Sequence, residues 1–397
     1  MKRPLRVAVL ADSFPPRGHS GVGNSHHHLI GALRDAGLEV EGFAFLEIPK
    51  PISLAIKAAL RGPLRLLAFL RAPWRRPGLA LELSNNVSGA LNGLRLLKRI
   101  KAFDPDWVVA PDFGAPAALW PKAWRRRLVM VAHSNPLRFL DQPLIGLRDP
   151  LDARMAWRLE ARMSAEAAAI VAPSAYMRAV FEKDYPHRAR PRLIRNLLME
   201  ELLDATPKAP PPLPGARAWV FIPAADNVNK GRQFVPALLK GLARRMPRER
   251  IGFVLSGSVG STMRRALGGL PDNIVVHSPG TLPYGENVGL MKSCQICVSP
   301  TLIENFGMAL LEAQFCGLPV LAFDVGGNSE LVADGSTGRI VPYLDVEALA
   351  RESAGLLLDP ARLARWGRTA ARRARKEFSA RSAGQAYVRL LRGLGRA

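Results

Sequence analysis

The stretch Ser299-Pro-Thr-Leu-Ile-Glu-Asn-Phe-Gly-Met-Ala-Leu-Leu-Glu-Ala-Gln-Phe-Cys-Gly-Leu-Pro319 separates into three parts. An apolar run ending at Ser299-Pro300 predicts a strand, Glu304-Asn-Phe-Gly307 a turn, and Met308 to Cys316 a helix that Gly317 stops. Such a strand-loop-helix unit leaves backbone N–H groups unpaired at the start of its helix, beside Gly307. The partial positive charge there favours a phosphate or diphosphate. Two carboxylates frame the unit, Glu304 before the turn and Glu312 inside the helix. Eight residues of helix span about 12 Å, more than the roughly 5 to 9.5 Å between the acids of a glycosidase pair. A hydrolase therefore fits poorly. On spacing alone two readings stay open: an ordinary cap with a solvated helix residue, or the two ends of one elongated ligand. In the second, a sugar lies near Glu304, a diphosphate over Gly307 and ribose hydroxyls near Glu312.

Phe306, Gly307, Ala313, Gly317, Pro319 and Val320 surround the two acids, and the run resembles the Glu-x7-Glu signature of the retaining family 4 glycosyltransferases. A dozen consecutive positions agree, which makes the match specific. The resemblance implies an α/β chain of two Rossmann-like domains facing across a cleft, the GT-B fold, with a C-terminal helix crossing back to the N-terminal domain. It also implies a nucleotide-diphosphate sugar as donor.

With 397 residues the chain is long enough for two domains, each with its own core. Its 48% hydrophobic and 22% charged residues describe a soluble globular protein. Met1-Lys2-Arg3 is followed by only six strand-like residues before Asp12, so no signal peptide is expected and the protein is read as cytoplasmic. Cys294 and Cys297 form a Cys-x-x-Cys, but no second pair or histidine cluster completes a zinc site. Buried, reduced thiols are expected there and at Cys316. The formal charge of +23 calls for an anionic partner or surface. An anionic membrane and nucleic acid are the candidates, beside an arginine-rich composition without functional meaning. Aromatic residues at 7%, with no zinc finger or RNP-like stretch, place nucleic acid second.

Leu5 to Leu10 predicts a buried strand; the loop Asp12 to Gly23 leads into a helix from about Asn24 to Ala36, closed by Gly37, and Glu39 to Phe45 predicts the next strand. Ser20-Gly21-Val22 resembles the family's Gly-Gly-Val turn, whose backbone meets the donor diphosphate from the opposite domain, with serine replacing the first glycine. His26, His27 and His28 point about 100° apart on a helix and cannot share one metal ion. They are expected at a solvated or acceptor-facing helix start. Ile52 to Leu70 is apolar except for Lys57, Arg61 and Arg65, which recur every fourth residue. Those cations and a break at Pro63 argue against a membrane span; an interfacial basic helix on anionic lipid and a packed helical insertion both remain open. Asp104-Pro-Asp106 reads as a turn feeding the strand Trp107 to Ala110, not as a metal site. His133 follows the strand Leu128 to Ala132, at the edge where ligands of open α/β sheets gather; the family pattern brings such a histidine to the transferred sugar.

Five prolines in the nine residues Pro207 to Gly215 mark a stiff linker. The domains are therefore read as 1–206, acceptor-binding, with a basic insertion over about 50–100; 216–377, nucleotide-sugar-binding; and a basic C-terminal helix over 378–397. Asn229-Lys230-Gly231 resembles the family element whose two cations hold the diphosphate. Lys230 matches, whereas Ala224 or Ala225 stands at the arginine position, leaving Arg232 as the nearest replacement. From Arg362 to Arg396 there are eleven basic residues against the single acid Glu377, a surface that would add to membrane contact.

The resemblance implies retention of configuration, and with it these readings point to a retaining, metal-independent hexosyltransferase acting on a glycan or lipid-linked acceptor in cell-envelope polysaccharide or glycolipid synthesis, with no cofactor. Glu304, His133 and Lys230 are the expected catalytic residues. Gly21, Lys230, Asn305, Phe306, Gly307, Met308 and Glu312 are expected to bind the donor. Another GT-B enzyme such as a nucleotide-sugar epimerase, or an inactive basic membrane- or nucleic-acid-binding protein, is the alternative.

Overall fold

The computed structural model describes residues 3–15, 20–46, 82–146 and 148–395, with positions 58, 59, 62, 63, 66 and 70 between them. It divides into two α/β units, residues 1–197 with 380–397, and residues 198–379.

In the first unit six parallel strands are formed by β1 (Arg6–Ala11), β2 (Glu39–Ala44), β3 (Trp107–Pro111), β4 (Leu128–Val131), β5 (Ala169–Ala172) and β6 (Arg192–Leu193), in the order β2-β1-β3-β4-β5-β6. Near-continuous apolar runs such as Val7 to Ala11 suit a sheet covered on both faces. Val7 and Val9 join one core cluster, with Leu29 and Leu33 of the helix Gly21–Asp35; Ala8 and Leu10 join the other, with Ala90, Leu97 and Ile100 of the helix Glu82–Phe103. The turn before β3 carries Asp104 at φ +49°, and the Arg6 backbone N–H donates to Asp106, as a structural turn requires.

The second unit contains β7 (Ala218–Ile222), β8 (Ile251–Leu255), β9 (Ile274–His277), β10 (Ile296–Ser299), β11 (Val320–Phe323) and β12 (Gly338–Val341), ordered β12-β11-β10-β7-β8-β9 and all parallel. Alternation along β7 sends Val220 and Ile222 into one core and Trp219 and Phe221 into the other. The strand order reverses direction between β7 and β10. In a doubly wound sheet ligands gather outside the carboxyl ends of the strands at such a point.

Several boundaries differ from the sequence expectation. The chain passes between units at Leu197 and Leu198, not within Pro207 to Gly215. Leu198 donates to the Phe378 carbonyl, Leu203 enters the second unit's core and the Ala209 N–H donates to Gly289, so the proline-rich strip is fastened to that unit. The expected insertion also ends sooner than residue 100, because Glu82–Phe103 is a core helix. Lys57, Arg61 and Arg65 lie outside the described residues; Leu66 and Leu70 beside them are helical and exposed, and Pro63, expected as a break, is itself helical. Among the described residues no helix is long and apolar enough to cross a membrane. The helix Pro360–Phe378 packs in the second unit through Trp366 and Ala374, and the next, Ala380–Gly393, returns to the first, where Gly384 lets it approach Ala32.

Candidate functional site

At the reversal point of the second sheet, the loop after β7 lies directly on the loop after β10. Gly231 has φ +79°, and a Cβ there would stand 1.9 Å from the Pro300 carbonyl oxygen, so no side chain fits. Leu302 N–H donates to Asn229 O at 2.9 Å. This stacking brings Lys230 Nζ to 2.5 Å from Glu304 Oε2, with the carboxylate side chain only 13% exposed. Burial pushes Glu304 toward its neutral form, but attraction and hydrogen bonding from Lys230, with the N–H groups of Asn305 and Gly307, outweigh it and hold its pKa below the usual glutamate range. A third loop closes over the acid: Gly326 at φ +60° would place a Cβ 1.8 Å from Glu304 O.

The helix expected after the turn runs Met308–Phe315, with Gly307 at φ +81° as its N-cap. Leu310 and Leu311 N–H groups both donate back to Gly307 O. Those of Met308 and Ala309 have no acceptor among the described residues, and both residues are partly exposed. Two free donors and the positive end of a helix therefore lie three to five residues beyond a lysine-paired carboxylate, an arrangement suited to an anion with a hydroxyl-rich neighbour.

Other expected residues sit differently. The Phe306 ring is buried in the core, 5.7 Å centre to centre from Phe378, so only its backbone borders the turn. Glu312 is 5% exposed; burial raises its pKa to about 7, opposed by a hydrogen bond from Tyr284. Ala224, at the position of the missing arginine, has φ +46°, Ala225 is buried, and Arg232 pairs with Asp226 at 3.8 Å.

In the first unit Gly21 opens its helix three residues before the expected start, and Ser20, in place of the family's glycine, acts as N-cap: its hydroxyl accepts from Gly23 N–H and donates to Asp12 Oδ1 at 2.6 Å. His133 stands just beyond β4, with its backbone N–H donating to Asp112 Oδ1 at 2.8 Å. His26 and His28 are buried, not solvated; His26 lies against β1, its ring facing the Leu10 carbonyl, and His28 is enclosed on another side of the helix. Two buried acids escaped sequence reading, Asp112 and Glu160, as did the contact that His26 makes. His26 meets His133 ring to ring. Asp112, fully buried, collects the N–H groups of Phe113, His133 and Ser134, and burial still raises its pKa to about 6. Glu160 lies buried with Asn86 and Tyr185. The only signal for Asp112 was its place at the end of a strand. Cys294, Cys297 and Cys316 are free thiols, and no group of three or more His, Cys, Asp or Glu among the described residues is arranged to hold a metal ion.

Comparison with known proteins gives two family models in tandem. "Glycosyltransferase Family 4" matches residues 19–198 and "Glycosyl transferases group 1" residues 248–373, together more than three quarters of the chain. D-inositol 3-phosphate glycosyltransferase of Arthrobacter sp. strain FB24 is 39% identical over 26% of this chain and 24% of its own length. A GDP-mannose-dependent alpha-(1-6)-phosphatidylinositol monomannoside mannosyltransferase of Mycolicibacterium smegmatis is 31% identical over 42% of this chain and 45% of its own. The matching stretch thus spans about a quarter of the first relative and under half of the second. Among solved structures, sucrose-phosphate synthase of Thermosynechococcus elongatus superposes with a TM-score of 0.72 at 18% identity, covering 98% of this chain and 99% of that one. Anabaena HepE in complex with UDP and glucose superposes with a TM-score of 0.65 at 17% identity, over 98% and 100%. Two tandem family matches and an α/β architecture shared over nearly the full length place this chain in glycosyltransferase family 4, with the two Rossmann-like domains of the GT-B fold.

Proposed function

We propose that the chain is a retaining, metal-independent glycosyltransferase that moves a hexose from a nucleotide-diphosphate sugar to a glycan or lipid-linked acceptor. The observation that carries this reading is the Lys230–Glu304 pair beside the free N–H groups of Met308 and Ala309. As the glycosidic bond breaks, negative charge grows on the departing diphosphate, and donors fixed in advance stabilise that charge more than they stabilise the intact donor. Lys230 and the helix start supply those donors, with Gly21 assigned to the diphosphate by the family pattern. Glu304, kept ionised by Lys230, holds sugar hydroxyls near the reacting carbon, and the family pattern assigns His133 to the same sugar. Retention follows from same-face attack, the leaving phosphate taking the acceptor's proton. Relatives named for GDP-mannose dependence, or solved with UDP and glucose, support a nucleotide-sugar donor.

Thermal-shift screening against UDP-, GDP- and ADP-sugars tests the donor class, one of which is expected to raise the melting temperature. Glu304→Ala is expected to lower kcat chiefly, whereas Glu312→Ala is expected to raise donor KM by about 10- to 150-fold, the worth of one charged hydrogen bond. Transfer is expected to persist in EDTA; loss restored by Mg²⁺ would overturn the metal-free account. Free monosaccharide epimer formed without acceptor would point instead to an epimerase. The excess of cations supports work at the cytoplasmic face of a membrane, on lipid-linked glycans of the cell envelope.

A further inference from the structure

His26 has both ring nitrogens engaged. It lies on the helix Gly21–Asp35 with 1% of its surface exposed. Its Nδ1 is 2.5 Å from the Leu10 carbonyl oxygen, in β1, and its Nε2 is 3.2 Å from Nε2 of His133, just beyond β4. The rings are 5.2 Å apart and tilted by 56°. A carbonyl oxygen only accepts, so Nδ1 of His26 must carry a hydrogen. Burial lowers the pKa of His26 to about 4, so near neutral pH the ring holds one proton and its Nε2 is a bare lone pair. The short nitrogen-to-nitrogen contact then requires the hydrogen on Nε2 of His133. Burial, with His26 next to it, keeps His133 neutral as well, so its Nδ1 carries none.

We infer that His26 is a positioning residue that locks His133 in the Nε2–H tautomer through a chain of hydrogen bonds from His133 through His26 to the Leu10 carbonyl. A ring so held has an acceptor at Nδ1 and no second N–H. His133 therefore meets a polyol as a hydrogen-bond acceptor for hydroxyl groups and does not serve as a proton donor. Its backbone is fixed in the same direction by Asp112. The tautomer lock stands on the two contacts together with the burial that keeps both rings neutral; its bearing on transfer rests on the proposed role of His133 at the sugar.

Two substitutions separate the contacts, because the side-chain amide of asparagine reaches the position of Nδ1 and that of glutamine the position of Nε2. His26→Asn retains the Leu10 contact and loses the His133 contact; His26→Gln returns an acceptor to His133. The readout is the tautomer of His133 in the ¹⁵N-histidine-labelled full chain at pH 7, its signal assigned by its loss in His133→Gln. Alongside it, kcat and donor KM are measured with whichever of UDP-glucose, GDP-mannose or ADP-glucose releases nucleotide. The wild type is expected to show the Nε2–H form, His26→Asn a mixture of both forms with kcat down about tenfold and donor KM unchanged, and His26→Gln recovery of both. An Nδ1–H form in the wild type, or an unaltered tautomer in His26→Asn, overturns the lock. A shifted tautomer with unaltered kcat upholds the lock and overturns the role of His133 at the sugar.

Discussion

A glutamate 5% exposed with a pKa near 7 makes the fold sensitive to pH. The folded chain binds the Glu312 proton more tightly than the unfolded chain does, so the associated stability is fully present below the ordinary glutamate pKa and is lost as pH rises through about 7. Wild type is expected to lose about 2 to 3 kcal/mol from this group between pH 5 and 8. Glu312→Gln, which has no proton to lose, is expected to be spared that loss, as paired urea titrations at the two pH values would show. Glu312 was legible as a site candidate from its spacing to Glu304. Its burial was not, because helical periodicity gives a face and leaves open what covers it; Tyr284, 28 positions earlier, does so here. The three histidines fail in the opposite sense. A polar triplet at a helix start reads as solvated or acceptor-facing, and only the tertiary packing around that helix shows that two of its members are inside.

The loops at the ends of β7 and β10 act as one element because Gly231 and Gly326 remove the side chains that would separate them from their neighbours. Gly231→Ala has to relieve both a positive φ and a contact of 1.9 Å with a backbone carbonyl, which has no flexible end to move aside. A loss of about 2 kcal/mol or more is expected. Because the loop that shifts carries Lys230, donor affinity is expected to fall with it; calorimetry and nucleotide titration of the same variant check both. The strand-turn-helix over Ser299 to Gly317 was readable residue by residue, since its apolar run, its glycine and its stop are local signals. The Lys230–Glu304 pair was not, because its partners are 74 positions apart and meet only through the crossing of strand order in the sheet. Pro207 to Gly215 misled for a related reason: stiffness is a local property, whereas attachment to Gly289 is a tertiary one.

Over the molecule as a whole, the net charge of +23 is not evenly compensated. On the helix Pro360–Phe378, Arg362, Arg373 and Arg375 have acidic partners, while Arg365, Arg368, Arg372 and Lys376 are exposed and make no ion pair among the described residues. At 100° per residue these four fall within roughly 80° of arc along about 16 Å of helix. Like charges at i,i+4 weaken a helix slightly, so the row carries a cost that an anionic surface would offset at about 1 kcal/mol per cation. The full chain is expected to pellet with phosphatidylglycerol vesicles at low salt and not with phosphatidylcholine, and neutralising the four to glutamine is expected to abolish most of that binding without altering the melting temperature. Unaltered binding would show that this row of cations does not carry the attraction to the vesicles.

The return of Ala380–Gly393 to the first unit has a consequence for biosynthesis. Residues 1–197 emerge from the ribosome early but lack the piece that covers Leu29 and Leu33, and the whole of the second unit is translated before it arrives. Of the two units, the one made first is thus the one completed last, and a chain cut after Ser379 would carry a finished second unit and a first one with its apolar flank open to water.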